Sequence, residues 1–259
     1  GATGVAGVYA AGNITDPSQQ VLQAAAHGSR VGGMVAFSLA EEDVLEAARP
    51  SGTAADWDRR YSGEPMWSGN PNGSLVAEVA GLPPGRALDV GAGEGADALW
   101  LAEQGWEVTA ADISTRALDR LRVESARRGL EVTCHPADAN AARPFADDTY
   151  DLVTACYASI PRTPDLRGLR NILAAVAPGG TLVIVSHDLE AMHAAGREHR
   201  PFDPDAYLHS DDFVAVLKDE AGWVVEVDEK RRRPPGSASA AHPADDRVLR
   251  ARRSGAAPA

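Results

Sequence analysis

Ala87-Leu88-Asp89-Val90-Gly91-Ala92-Gly93-Glu94-Gly95 is the stretch on which the fold turns. A short apolar run carrying one acid passes directly into glycines at every second position, where a backbone can turn sharply and approach a ligand closely. Helical character follows over 96–104, with Gly105 just past its end, and a strand over 107–110. Ser114 caps a second helix that carries Leu118, Leu121 and Val123 inward and stops at Gly129. The alternation continues with strands over 132–135 and 150–155, a helix over 169–176, the turn Ala177-Pro178-Gly179-Gly180, and strands over 181–185, 223–227 and 247–251. Strands alternating with helices give an α/β, mostly parallel sheet covered on both faces.

The glycine loop has two readings. Gly91-x-Gly93-x-x-Ala96 satisfies the dinucleotide fingerprint, and Asp112 lies about 20 residues on, where an acid grips a ribose. Against this, Asp89 leads the loop, and Glu94 stands where a pyrophosphate would approach the helix N-terminus. In the frame Asp89-Val90-Gly91-Ala92-Gly93-Glu94-Gly95, with Ala177-Pro178-Gly179-Gly180-Thr181-Leu182 before a buried strand, the chain resembles the class I S-adenosylmethionine (SAM) dependent methyltransferases.

That resemblance implies a Rossmann-like seven-stranded sheet with a terminal antiparallel hairpin, and SAM as cofactor. It implies a cofactor site of Asp89, Gly91, Ala92, Gly93 and Gly95 under the methionine part, Asp112 and Ile113 at the ribose, Asp138 and Ala139 at the adenine, and Cys156 at the rim facing the methyl. Each residue also has a plainer reading: Asp112 as a helix cap, Asp138 as a turn acid. Upstream, Asp56-Trp57-Asp58-Arg59-Arg60-Tyr61 and Trp67-Ser68-Gly69-Asn70-Pro71-Asn72 resemble the lead-in of small methyltransferases of the tellurite-resistance and thiopurine type. There the segment folds over the ligand, and Trp67 joins the implied site; Tyr61 and Trp67 as ordinary core aromatics is the alternative.

Charge and composition narrow the partners. Acids outnumber bases 37 to 25, a net charge of −12, which disfavours nucleic acid. The exception is the C-terminal cluster Lys230, Arg231, Arg232, Arg233, Arg247, Arg250, Arg252 and Arg253, read as edge-strand protection and tail rather than as a phosphate-binding surface. Cys134 and Cys156 fit neither a disulfide framework nor a zinc site, and no run approaches the roughly 18 apolar residues of a membrane span, so a cytoplasmic location and no membrane partner are expected.

The first 48 residues read differently. A strand over 7–13 meets Asp16-Pro17, a good helix start, and an alanine-rich helix follows over 19–40, weakened by Gly28, Gly32 and Gly33 as if packed against a partner. This segment resembles the C-terminal end of thioredoxin-reductase-like FAD flavoproteins, with Asn13 in place of the Asp expected there. The N-terminal FAD-binding glycine loop, NADPH module and C-x-x-C of such enzymes are missing, so no FAD binding by this chain alone is expected; a helical appendage with no chemistry of its own is the plainer reading, and association with a flavoprotein reductase is what the resemblance implies. Gly1 in place of Met and a start in mid-strand suggest a fragment. The Pro50-Ser51-Gly52-Thr53 linker separates this appendage, 1–48, from the methyltransferase-like domain, 52–259.

Tyr157 and His187, at strand C-terminal ends, are the catalytic candidates, with His187 as a mere strand-end polar residue and His242 as a weaker third. Glu190, His193, Glu198 and His199 lie in a polar stretch, 188–210, that forms a lid or a loop; no spacing in it indicates a metal. The expected reaction is methyl transfer to a small-molecule acceptor, a thiol or metalloid oxyanion, with a natural-product hydroxyl or amine as competitor; an NAD(P)- or FAD-linked oxidoreductase and a SAM-binding regulator are the other readings. Oligomeric state is not legible. Deletion of 1–48 is expected to leave SAM binding intact in calorimetry; loss of folding would show that the helix covers an apolar face of the domain.

Overall fold

The computed structural model describes residues 52–188, Glu190, 203–233 and 245–255, with Ala10, Ala11, Ala26, Ser29, Val31 and Gly32 of the N-terminal segment. The chain divides into two compact units, Gly1–Ser51 and Gly52–Ala259. In the first, Ala26, Ser29, Val31 and Gly32 are helical; the strand expected over 7–13 and the rest of the helix over 19–40 lie outside the described residues.

The second unit opens with helices α1 (Ala54–Arg60) and α2 (Gly73–Val79) and then alternates β1 (Arg86–Val90), α3 (Ala96–Glu103), β2 (Glu107–Asp112), α4 (Thr115–Arg128), β3 (Val132–Pro136), β4 (Tyr150–Cys156), α5 (Arg167–Ala175) and β5 (Val176–His187). It closes with α6 (Ser210–Leu217), β6 (Trp223–Arg231) and β7 (Asp246–Arg253). The sheet has seven strands in the order β3-β2-β1-β4-β5-β7-β6. β1 to β5 pair in parallel, and β7 runs antiparallel between β5 and β6, which is the terminal hairpin expected of the Rossmann-like methyltransferase sheet.

The central strands are buried on both faces, as parallel strands under two helix layers must be. Alternate residues divide between two cores: Leu182 and Ile184 of β5 face the side covered by Leu169 and Ile172 of α5 and Phe213 of α6, while Val183 and Val185 face Leu75 of α2, Leu99 of α3 and Leu121 of α4. Helix α4 starts and stops as its sequence dictates: the Ser114 side chain accepts from the Ala117 amide, and Gly129 closes the helix at φ 67°. One expectation fails there. Val123 is 72% exposed. Ala117, Leu118, Leu121 and Ser125 set the buried face, and a residue two places beyond Leu121 lies about 200° around the helix.

β5 also begins earlier than its apolar run: Val176 pairs with Tyr150, and a register shift separates that pair from Leu152 and Thr181, with Gly179 at φ 84° in between. In the hairpin, Lys230, Arg231, Arg233, Arg247, Arg250 and Arg253 each pair with acids of this same domain. Six of the eight bases of the cluster are thereby neutralised from within. No helix among the described residues is long and apolar enough to cross a membrane.

Two glycines separate packing from backbone strain. A Cβ at Gly95, φ 88°, would overlap the Leu121 side chain, whereas one at Gly129, φ 67°, meets open space. Gly129→Ala is expected to cost about 1 kcal/mol in denaturant unfolding, the price of the left-handed conformation alone, and Gly95→Ala about 2 to 4 kcal/mol because overpacking is added. Equal losses would show that Leu121 moves aside without cost.

Candidate functional site

A cleft of about 950 Å³ opens at the C-terminal ends of β1, β2 and β4, where open α/β sheets place their ligands. Its floor is the glycine loop. Gly91, Gly93 and Gly95 all have positive φ, at 71°, 55° and 88°. All three are also closely covered: an added Cβ would stand 2.7 Å from Ala158 Cβ at Gly91, 2.9 Å from Tyr61 Oη at Gly93 and 2.2 Å from Leu121 Cδ1 at Gly95. The amides of Gly91 and Ala92 donate to the Ala111 carbonyl at 2.8 and 3.1 Å, which folds the loop back across β2.

Acids converge on this floor. Asp112, ending β2, accepts from the Gly93 amide and the Ser114 amide, each at 2.8 Å, so one carboxylate ties the loop to the start of α4. Asp89 accepts from the Thr154 hydroxyl at 2.8 Å through Oδ1. Its Oδ2 is buried with no hydrogen-bond partner among the described residues. Asp97, in the first turn of α3, accepts from the Asn72 amide at 2.6 Å. Burial pushes Asp97 up to about 6 and raises Asp112. Burial, followed by the charge of Asp97, holds Asp89 well above the usual carboxylate range. Cys156 is raised too, first by burial and then by Asp97 and Asp89, so its thiol keeps its proton and is no nucleophile.

The other expected cofactor residues are also brought here. Ile113, Asp138 and Ala139 line the same cleft, and Asp138 accepts from the Asn140 amide at 2.8 Å, so it organises its own turn as well. Trp67 sits at the rim, 49% exposed, its indole N–H donating to Tyr61 Oη at 3.1 Å. Tyr61 is buried, and that burial pushes its hydroxyl up to about 12. The two aromatics therefore differ: Tyr61 is a packed support over Gly93, and Trp67 is a wall of the opening.

The lead-in segment is fastened across the loop by charges that sequence reading did not assign. Glu94 accepts from the amides of Met66 and Trp67, each at 3.1 Å, and pairs with Arg120 of α4, which also donates to the carbonyls of Gly63 and Glu64. Asp58 accepts from the Ser114 hydroxyl at 2.6 Å and from the Arg116 amide at 3.1 Å.

Tyr157 and His187 meet at the far end of the cleft, their rings stacked with centroids 4.4 Å apart and planes 12° from parallel. The Tyr157 hydroxyl donates to Asp246 Oδ1. Arg233 Nε donates to the same oxygen at 2.7 Å, and the Ser74 hydroxyl to Asp246 Oδ2 at 2.8 Å. Arg233 Nη2 lies 2.6 Å from His187 Nδ1. Burial first, and the bond to Asp246 next, raise the Tyr157 hydroxyl above its ordinary range. Asp97, Ser74, Arg233 and Asp246 carry no periodic or motif signal in the sequence. His193, Glu198, His199 and His242 lie outside the described residues, and among the described residues no group of His, Cys, Asp and Glu could hold a metal ion.

Residues 87–180 match the family model of the methyltransferase domain. A demethylmenaquinone methyltransferase of Beutenbergia cavernae is 34% identical over 172 residues, spanning 56% of this chain and 69% of the relative. An uncharacterized protein of Mycobacterium tuberculosis is 35% identical over 137 residues, 51% of this chain and 49% of the relative, so the chain spans about half the length of that match. A structure concerned with conversion of a disulfide bond into a thioacetal group during echinomycin biosynthesis superposes with TM-score 0.60 at 24% identity, covering 79% of this chain and 93% of the other. A SAM-dependent methyltransferase of Mesorhizobium loti gives TM-score 0.53 at 22% identity, covering 69% and 96%.

The chain belongs to the class I SAM-dependent methyltransferases, and its cofactor is SAM. The residues fit that group: a buried acceptor without a donor among the described residues, a glycine floor that side chains would fill, and acids suited to a cationic ligand. The same acids oppose the pyrophosphate of a dinucleotide.

Because the Asp97 carboxyl takes up a proton below about pH 6 in the ligand-free site, and a ligand cation favours its ionised form, SAM affinity is expected to fall as pH drops through 6. The loss approaches about tenfold per pH unit at most. Calorimetric titration at a series of pH values checks this. Asp97→Asn should flatten the profile, and a wild-type affinity independent of pH would exclude Asp97 from the cofactor's field.

Proposed function

We propose that the protein transfers the methyl group of SAM to a small-molecule acceptor, with the methionine part over Gly91, Ala92, Gly93 and Gly95 and its ammonium toward Asp89 and Asp97. The ribose then lies on Asp112 and Ile113, the adenine by Asp138 and Ala139, and the methyl faces the rim formed by Cys156 and Tyr157. The single observation that carries this reading is the buried Asp89 Oδ2, without a hydrogen-bond partner among the described residues, beside Asp97 and Asp112, a set of carboxyls that calls for a cationic donor.

When bound, SAM supplies an electrophilic methyl on a sulfonium, displaced in line by the acceptor's lone pair. The protein's part is positioning and electrostatics. Glu94 and Arg120 hold the lead-in over the loop, Trp67 limits water at the opening, and the stacked Tyr157 and His187 bound the acceptor end. Neither of these two presents an idle base, since the Tyr157 hydroxyl is committed to Asp246 and His187 Nδ1 to Arg233.

That favours an acceptor that ionises by itself before it attacks, a thiolate or a metalloid oxyanion, and it accords with the resemblance of the lead-in to tellurite-resistance and thiopurine-type enzymes. The echinomycin-pathway structure, concerned with a disulfide, supports sulfur over a natural-product hydroxyl or amine. The two free cysteines, Cys134 and Cys156, accord with a reducing cytoplasm. The flavoprotein-like residues 1–48 make a reductase that generates reduced sulfur, selenium or tellurium species the natural partner.

Asp112→Ala is expected to weaken SAM by roughly 1.5 to 3 kcal/mol, the scale for hydrogen bonds to a charged group. Unchanged affinity removes Asp112 from the cofactor site. Release of S-adenosylhomocysteine should be fastest with small thiols and should follow the acceptor's own ionisation; turnover confined to hydroxyl or amine acceptors would overturn the soft-acceptor reading.

A further inference from the structure

The buried cluster around Asp246 does something that cofactor binding does not require. Asp246 and Arg233 have side chains only 2% and 5% exposed, yet together they touch Ser74 of α2, Tyr157 after β4 and His187 at the end of β5. A guanidinium carries only donors and keeps its charge. The ring nitrogen 2.6 Å from Arg233 Nη2 must therefore be a bare acceptor, which puts the imidazole proton of His187 on Nε2. A proton on Nδ1 would set N–H against N–H, and protonation of both ring nitrogens would add a second cation beside the first.

The backbone reinforces this arrangement. Tyr157 is held at φ 53°, a left-handed conformation costly for a bulky residue. Its amide is fixed to the Val185 carbonyl at 2.8 Å, and the Arg233 guanidinium lies 5.1 Å from its ring centre.

We infer that Arg233 and Asp246 are positioning residues for the acceptor end of the cleft: Arg233 locks His187 as the neutral, Nε2-protonated imidazole, Asp246 holds the Tyr157 hydroxyl, and the stacked pair takes up no proton during methyl transfer. The description of this end as the acceptor's rests on the proposed methyl transfer; the tautomer of His187 does not. Among the described residues, the charged and titratable groups that act on the pair are Cys156 at the end of β4, Arg233 just after β6 and Asp246 of β7. Glu78 is paired with Arg231 and Arg250, and Asp188 with Lys230. This leaves Arg233 as the cation bonded to the imidazole and Asp246 as the carboxylate bonded to that cation.

Ring-nitrogen NMR of the isotope-labelled full chain, with the His187 signals assigned by their loss in His187→Gln, tests this directly. In the wild type the ring is expected to be Nε2-protonated and to show no titration between about pH 5.5 and 8. In Arg233→Met it should titrate near the ordinary value of about 6.5, and kcat/KM should gain a limb there; Arg233→Lys, which keeps a cationic donor, should restore much of the wild-type behaviour. A wild-type His187 protonated on Nδ1, or titrating near 6.5, overturns the inference, and so does an Arg233→Met spectrum identical to the wild type. Should Arg233→Met fail to fold, the wild-type spectrum alone decides. Failure of methyl transfer with every acceptor would strike the proposed reaction and leave the tautomer result standing.

Discussion

The carboxylate of Asp112 takes the amides of Gly93 and Ser114 at once, and the cleft depends on that one bridge. It sets the glycine loop against the N-terminus of α4, and from α4 the remaining fastenings follow. Ser114 and Arg116 hold Asp58 of the lead-in, and Arg120 holds Glu94, which in turn holds the backbone of Met66 and Trp67. A carboxylate with two amide donors is stabilised as an anion by about 1.5 to 3 kcal/mol for each bond, yet burial still raises Asp112. Negative charge is thus disfavoured in the ligand-free site, whose carboxyls take up protons more readily than exposed ones. A cationic ligand offsets this.

The second constraint is charge in the hairpin. β7 inserts antiparallel beside β5 and brings Asp246 opposite His187 in register, while β6 carries its basic residues along the same edge. Bases of both strands meet acids on neighbouring elements, as Arg231 of β6 and Arg250 of β7 do at the buried Glu78. One buried pair, Arg233 with Asp246, is instead turned toward the cleft, where it organises Tyr157 and His187. Sheet closure and the acceptor end of the site share the same residues.

What was legible in the sequence was local. Positive-φ glycines at 91, 93 and 95, the Ser114 cap and the Gly129 stop announce themselves within a few residues, and they place the loop, β1, β2 and α4 correctly. Val123 was misassigned because an apolar residue off the helical stripe looks inward to a count of apolar positions. The acceptor end was half legible. Strand ends point to Tyr157 and His187, but their partners come from far along the chain: Ser74 and Asp246 are 172 positions apart, and Arg233 and His187 are 46. A single Arg or Asp in a loop has no period, so only the folded sheet reveals its role. Asp97 escaped notice for a related reason, since an acid in a first helical turn is ordinary until the turn faces a cleft already lined by Asp89 and Asp112.

The central claim is that buried negative charge on a glycine floor selects a cationic ligand over a phosphate-bearing one. Parallel calorimetric titrations of the full chain with SAM and with NADH at neutral pH measure that selection most directly. Saturable binding of SAM at one site per chain, with no heat from NADH at the same concentration, is the result predicted; binding of NADH without binding of SAM would contradict the account.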